Sequence, residues 1–79
     1  MVISMEELLD RITVDPDILV GKPVIRGTRI PVYLIVEFIA NGMTTKDILK
    51  EYPRLKEEDI KAALLYASKL AESEVTVTL

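Results

Sequence analysis

Pro16, Gly21, Pro23, Gly27, Pro31, Gly42 and Pro53 are the only prolines and glycines of this chain, and they decide where it can run straight. Proline removes a backbone donor and glycine tolerates left-handed backbone, so each breaks or turns a regular element. Five of the seven crowd the stretch from Pro16 to Pro31, which leaves room there only for short strands and loops. Longer elements fit at the N-terminus, between Pro31 and Gly42, between Gly42 and Pro53, and after Pro53. A chain of 79 residues divided this way holds one domain with one core.

Each open stretch carries helical marks. Ser4 and Glu7 have capping-box spacing, and Met5, Leu8, Leu9 and Ile12 recur at three and four residues, which predicts a short first helix ending near Arg11. Ile12-Thr13-Val14 reads as a short strand stopped by Asp15-Pro16-Asp17, with Ile18 to Val20 continuing extended. Gly21-Lys22-Pro23 and Arg26-Gly27-Thr28-Arg29 are turns on either side of a second brief strand, Val24-Ile25. Pro31 suits the first position of a helix over Val32 to Ala40. That segment is apolar except at Tyr33 and Glu37, so burial nearly all round is expected. Asn41-Gly42 closes it. Thr44 and Asp47 open a helix over Thr45 to Glu51 that Pro53 stops.

The last helix is predicted to open at Glu57-Glu58-Asp59, acids that suit the positive end of the helix dipole, and to run to about Ser73. Ile60, Ala63, Leu64, Ala67, Leu70 and Ala71 share one face, and its alanines permit close approach of another helix. Leu65 and Tyr66 widen the apolar surface and are candidate contacts with a second copy. Residues 74–79 alternate polar and apolar. Val75, Val77 and Leu79 are then a candidate partner-binding tail that adds a strand to another chain's sheet, set against a frayed terminus.

Composition narrows the chemistry. The chain has neither cysteine nor histidine, which removes disulfides, thiolate and imidazole metal sites, and the usual general base near neutral pH. No catalytic residue and no cofactor is expected. Glu6-Glu7 and Asp15-Asp17 are oxygen ligands in type, but nothing in the sequence completes a metal site around them. The apolar run after Pro31 is well short of a membrane span and no signal segment precedes it, so a soluble, cytoplasmic protein is expected.

The net charge of −3 is unevenly spread. Residues 1–21 balance at −4, residues 22–31 at +3 with Lys22, Arg26 and Arg29 and no acid, and the remainder at −2. Any anion-binding surface is therefore local. Arg26 and Arg29, with Lys22, are candidate donors to phosphate or to a partner's carboxylates; the alternative is pairing with Asp15 and Asp17 inside the domain. The Gly-Lys-Ser/Thr order of a phosphate-cradling loop is missing.

The three later helices have the layout of a helix-turn-helix, or of a plain three-helix bundle. The DNA-facing candidates are Lys46 and Lys50, on one helix face, and Arg54 just beyond; the alternative is a solvated surface balanced by Asp47 and Glu51. The acids at Glu57, Glu58 and Asp59 sit where a recognition helix would approach phosphate, and would repel it.

Asp15-Pro16-Asp17-Ile18 followed by Gly21-Lys22-Pro23-Val24-Ile25-Arg26-Gly27-Thr28-Arg29-Ile30-Pro31-Val32 resembles the signature of the prokaryotic family called domain of unknown function 433. Asn41-Gly42-Met43-Thr44, Tyr52-Pro53-Arg54-Leu55 and Glu58-Asp59-Ile60-Lys61-Ala62-Ala63-Leu64 resemble its second half, so the likeness runs from about Ile12 to Ala71. Lys56 departs from it where the family often has a capping Thr or Ser. The resemblance implies a mainly α fold, a homeodomain-like or winged-helix-like trihelical unit preceded by a short N-terminal helix and a small β region. It also implies the antitoxin of a toxin-antitoxin module, a protein encoded beside a toxin with a PIN-like nuclease domain. The first reading of the chain is then a homodimer that binds and silences such a nuclease, with operator DNA as a further candidate ligand. A homo-oligomeric interaction module without nucleic acid and a stand-alone DNA-binding regulator are the alternatives.

Overall fold

The computed structural model describes residues 3–73. Helix α1 (Met5–Leu9) is followed by strand β1 (Ile12–Thr13), strand β2 (Val24–Ile25) and helices α2 (Val32–Ala40), α3 (Thr45–Glu51) and α4 (Glu57–Ser73). The architecture is mainly helical with one small two-stranded sheet. β1 and β2 pair antiparallel, Ile12 opposite Ile25 and Thr13 opposite Val24, and a single bridge joins Val24 to Pro31.

The helix ends follow from local chemistry. Ser4 Oγ accepts from the Glu7 amide at 3.1 Å and starts α1. α2 stops at Gly42, whose φ of +93° suits glycine. There the amides of Gly42 and Met43 donate to the carbonyls of Ile39 at 3.0 Å and Phe38 at 2.9 Å, a Schellman arrangement. Thr44 and Asp47 form a reciprocal capping box for α3. At α4 the missing cap at Lys56 is partly replaced from inside the helix: the Asp59 carboxylate accepts the Lys56 amide at 2.8 Å.

Ile12, Ile25, Val32, Ile35, Ile48, Leu55, Ile60, Ala62 and Ala63 form the core, so every element from β1 onward contributes to it. α4 packs on α1, α2 and α3, and the fully buried Ala62 and Ala63 keep its surface low where its neighbours cross. Phe38 of α2 stacks on Tyr52 at 5.9 Å between centroids and seals the α2–α3 corner.

Four expectations need correction. Ile18 to Val20 does not continue extended: Leu19, Val20 and Gly21 have φ of +48°, +56° and +79°, in a turn closed by the Gly21 amide on the Ile18 carbonyl at 3.1 Å. The Asp15 carboxylate accepts the Asp17 amide at 2.9 Å just upstream, and backbone bonds from the Ile18 amide to the Asp15 carbonyl and from the Lys22 amide to the Leu19 carbonyl flank the turn. α2 is not buried nearly all round, since only Val32 and Ile35 are buried and Tyr33 is half exposed. The apolar face of α4 is covered only in part: Ile60, Ala63 and Ala67 pack on the core together with Ala62 and Tyr66, while Leu64 lies off that packed side and Leu70 lies beyond it along the helix, both exposed. Pro31 caps α2 from outside rather than opening it.

Candidate functional site

The cationic loop between β2 and α2 is built around Thr28. Its hydroxyl donates to the Ile25 carbonyl at 2.8 Å and accepts the Ile30 amide at 3.0 Å, while Gly27 turns the chain at φ +81°. Ile25 and Ile30 also close on each other, the Ile25 amide donating to the Ile30 carbonyl at 3.0 Å. The loop is thereby fixed on both sides of Arg26 and Arg29.

Those cations divide by role. Arg26 turns inward: its Nε donates to the Asp10 carbonyl at 2.7 Å and its second terminal nitrogen reaches the Ile12 carbonyl at 3.4 Å. It therefore ties the loop to the end of α1 and to β1, and does not pair with Asp15 or Asp17 as the alternative had it. Lys22 lies over the Tyr33 ring, its Nζ 5.7 Å from the centroid. Arg29 is exposed. Arg54, grouped with α3 on sequence grounds, instead donates to the Gly27 carbonyl at 3.2 Å, so the α3–α4 turn meets the cationic loop. Among the described residues no carboxylate lies within 4.0 Å of Lys22, Arg26, Arg29 or Arg54.

Lys46 and Lys50 share a face of α3 with Leu49, and both are exposed. Asp47 between them is held below the usual carboxylate range. The Thr44 amide is the main cause and the Thr44 hydroxyl the next; slight desolvation opposes them, and Lys50 adds a small push.

The start of α4 is occupied from within the domain. Arg11 donates to Asp59 at 3.0 Å and lies 4.0 Å from Glu58, and α1 packs against α4. Asp59 is the buried charged residue among those described, and sequence reasoning missed its role; Lys56-x-x-Asp59 spacing was the available signal. Glu7, Asp10, Arg11, Arg26 and Asp59 line a polar hollow of about 400 Å³ whose charges are largely used internally. Among the described residues no group of three or more Asp, Glu, His or Cys is placed to hold a metal ion, and no helix is long and apolar enough to cross a membrane.

An open apolar groove of about 390 Å³ runs between α2 and α4, with Tyr33, Val36, Tyr66 and Leu70 on its walls and Lys22 and Glu37 at its rim. Tyr66 thus faces the groove while packing on the core, and Leu65 is half-buried nearby on α4. Two residues before Lys22, the Val20 side chain stands 94% exposed. The predicted tail contacts Val75, Val77 and Leu79 lie outside the described residues.

Residues 12–67 match the family described as "Protein of unknown function (DUF433)". The chain belongs to the DUF433 family. The match starts at β1 and ends within α4, so it takes in the cationic loop, the Val20 turn and most of the groove, while α1 and Leu70 lie beyond it. A crystal structure of a DUF433 member from Anabaena variabilis ATCC 29413 superposes with a TM-score of 0.76 at 36% identity, over 85% of this chain and 66% of that one. The uncharacterized protein y4eO of Sinorhizobium fredii (strain NBRC 101917 / NGR234) is 45% identical over 56 residues, 71% of this chain. The chain spans about a quarter of the length of that relative.

Proposed function

We propose that this DUF433 domain is the antitoxin of a type II toxin-antitoxin module, which binds a PIN-like nuclease through protein contacts and silences it. The observation that supports this reading is the fixed turn carrying Arg29 and met by Arg54, two guanidinium groups with no carboxylate within 4.0 Å among the described residues. A nuclease that works through bound metal must present carboxylates to hold it. Planar guanidinium donors on a rigid turn complement such a surface at low entropic cost. In this reading the chain contributes no catalytic residue.

The same geometry argues against sequence readout of operator DNA by the start of α4, because α1 and Arg11 cover the end a recognition helix would insert. Contact with operator DNA would fall to Lys46 and Lys50 of α3, with affinity dropping steeply as salt rises.

The test is co-expression with the neighbouring open reading frame, tagging only this chain, with the mass of the complex taken by light scattering and nuclease activity assayed in parallel. A stable complex lacking nuclease activity is expected, with Arg29→Ala plus Arg54→Ala releasing the activity. A chain that never captures its neighbour, or a double variant that inhibits as well as the parent, overturns the proposal.

A further inference from the structure

The turn at Leu19 and Val20 is strained and yet it leaves the Val20 side chain almost wholly in solvent. Left-handed backbone is costly for L-residues and most so for β-branched ones, yet Val20 holds φ +56° and presents its side chain 94% exposed. Hydrogen bonds at both ends hold it there, Ile18 amide to Asp15 carbonyl at 2.9 Å and Lys22 amide to Leu19 carbonyl at 3.2 Å. The result is a rigid apolar knob.

Beside the knob lies a hole. Val20 is two residues from Lys22, so their α-carbons are at most about 7.6 Å apart, and Lys22 lines the groove walled by Tyr33, Val36, Tyr66 and Leu70. Tyr33 and Leu70 are each about half exposed, 51% and 49%, which is apolar surface a partner can cover. The rim carries one charge of each sign. Lys22 sits over Tyr33, and Glu37 follows Tyr33 by one helical turn, so opposite charges are spaced along α2. Neither is in an ion pair among the described residues.

A surface with a knob next to a hole, and a cation one turn from a carboxylate, is complementary to itself when turned about a two-fold axis. We infer that the α2–α4 groove binds a second copy of this chain in a symmetric dimer, with Val20 of each copy in the groove of the other and Lys22 of each facing the other's Glu37. This surface is separate from the Arg29–Arg54 turn, so the inference stands or falls independently of the proposed nuclease partner.

The experiment is sedimentation equilibrium of the full chain alone, without any nuclease, on the parent and four variants. The parent is expected to dimerise at micromolar concentration. Burying one valine changes affinity by about ten- to a hundredfold, and the symmetric dimer buries two, so Val20→Gly should weaken association by at least about a hundredfold. Val20→Gly also relieves the strained φ, so its melting temperature as a monomer should rise by a few degrees, which rules out misfolding as the cause. Lys22→Glu and Glu37→Lys should each weaken the dimer about tenfold or more, and the double charge swap should restore it to within about threefold of the parent. A parent that stays monomeric at millimolar concentration overturns the inference, as does a Val20→Gly variant that dimerises like the parent or a double swap that stays as weak as the single variants.

Discussion

Asp59 and Arg11 form an ion pair that should prove strongly unequal when taken apart. Asp59 is 7% exposed and one of its oxygens accepts the Lys56 amide at 2.8 Å, while the other accepts Arg11 at 3.0 Å. Asp59→Ala removes a charge-assisted bond to the amide of Lys56, the residue just before α4, worth about 1.5–3 kcal/mol, and a favourable charge at the helix start, worth about 0.3–1 kcal/mol. With the partly exposed Arg11 contact added, the loss is about 3 kcal/mol. Arg11→Ala leaves the Lys56 amide satisfied and forfeits only that contact, about 1 kcal/mol at most. At about 4–8 °C per kcal/mol for a domain of this size, Asp59→Ala should lower the melting temperature by about 12–24 °C and Arg11→Ala by no more than about 4–8 °C. The double variant should melt near Asp59→Ala, since Arg11 has little to do once Asp59 is gone. Thermal melts followed by far-UV circular dichroism, with urea titrations as a second measure, read all three. Equal losses for the two single variants, or a loss below about 1 kcal/mol for Asp59→Ala, would refute the assignment of Asp59 to the α4 start.

Three further outcomes follow from other parts of the fold. Ile48 is the buried side chain of α3 and 0% exposed, so Ile48→Ala should cost about 2–5 kcal/mol in urea unfolding and loosen the α3 corner first in hydrogen exchange. Gly42→Ala meets no atom within 4 Å but must hold φ +93°, so it should lose about 1 kcal/mol through backbone conformation alone. Asp47 has a lowered pKa in the folded state, so its stabilising contribution is complete above the ordinary carboxylate value and is lost as pH falls through the lowered one. The melting-temperature gap between the parent and Asp47→Asn should therefore be open near neutral pH and close in acid. A gap that is the same at both ends would place the capping bond elsewhere.

The helices were readable in advance because their limits are chemical and local. Thr44 with Asp47, Ser4 with Glu7, and Gly42 each act within a few residues, and the structure keeps α2, α3 and α4 at the ends that spacing predicted. The Leu19–Val20 turn was not readable, because the apolar Ile18-Leu19-Val20 triplet carries a strand signal and the bonds that close the turn run between backbone groups, which leave no mark in the sequence. The exposure of Tyr33 was hidden for a related reason: an apolar helix in a chain this small has fewer neighbours than its sequence invites.

The cations show why charge pattern alone misassigns a site. Sequence offers Arg26 two acidic neighbours, Asp15 and Asp17, yet the guanidinium goes to the backbone carbonyls of Asp10 and Ile12. Every residue has a carbonyl, so an acceptor of that kind leaves no mark in the sequence. Arg54 is the converse case. Its spacing places it with Lys46 and Lys50, but the Gly27 carbonyl lies 27 positions away in the chain and only the packed fold brings the two together. Removing Arg26 should therefore damage the loop that presents Arg29, whereas Arg54→Ala, which gives up one exposed hydrogen bond, should leave stability within about 0.5 kcal/mol of the parent. Partner binding lost in Arg54→Ala at unchanged melting temperature would separate recognition from folding at this turn, and binding lost in Arg26→Ala would not.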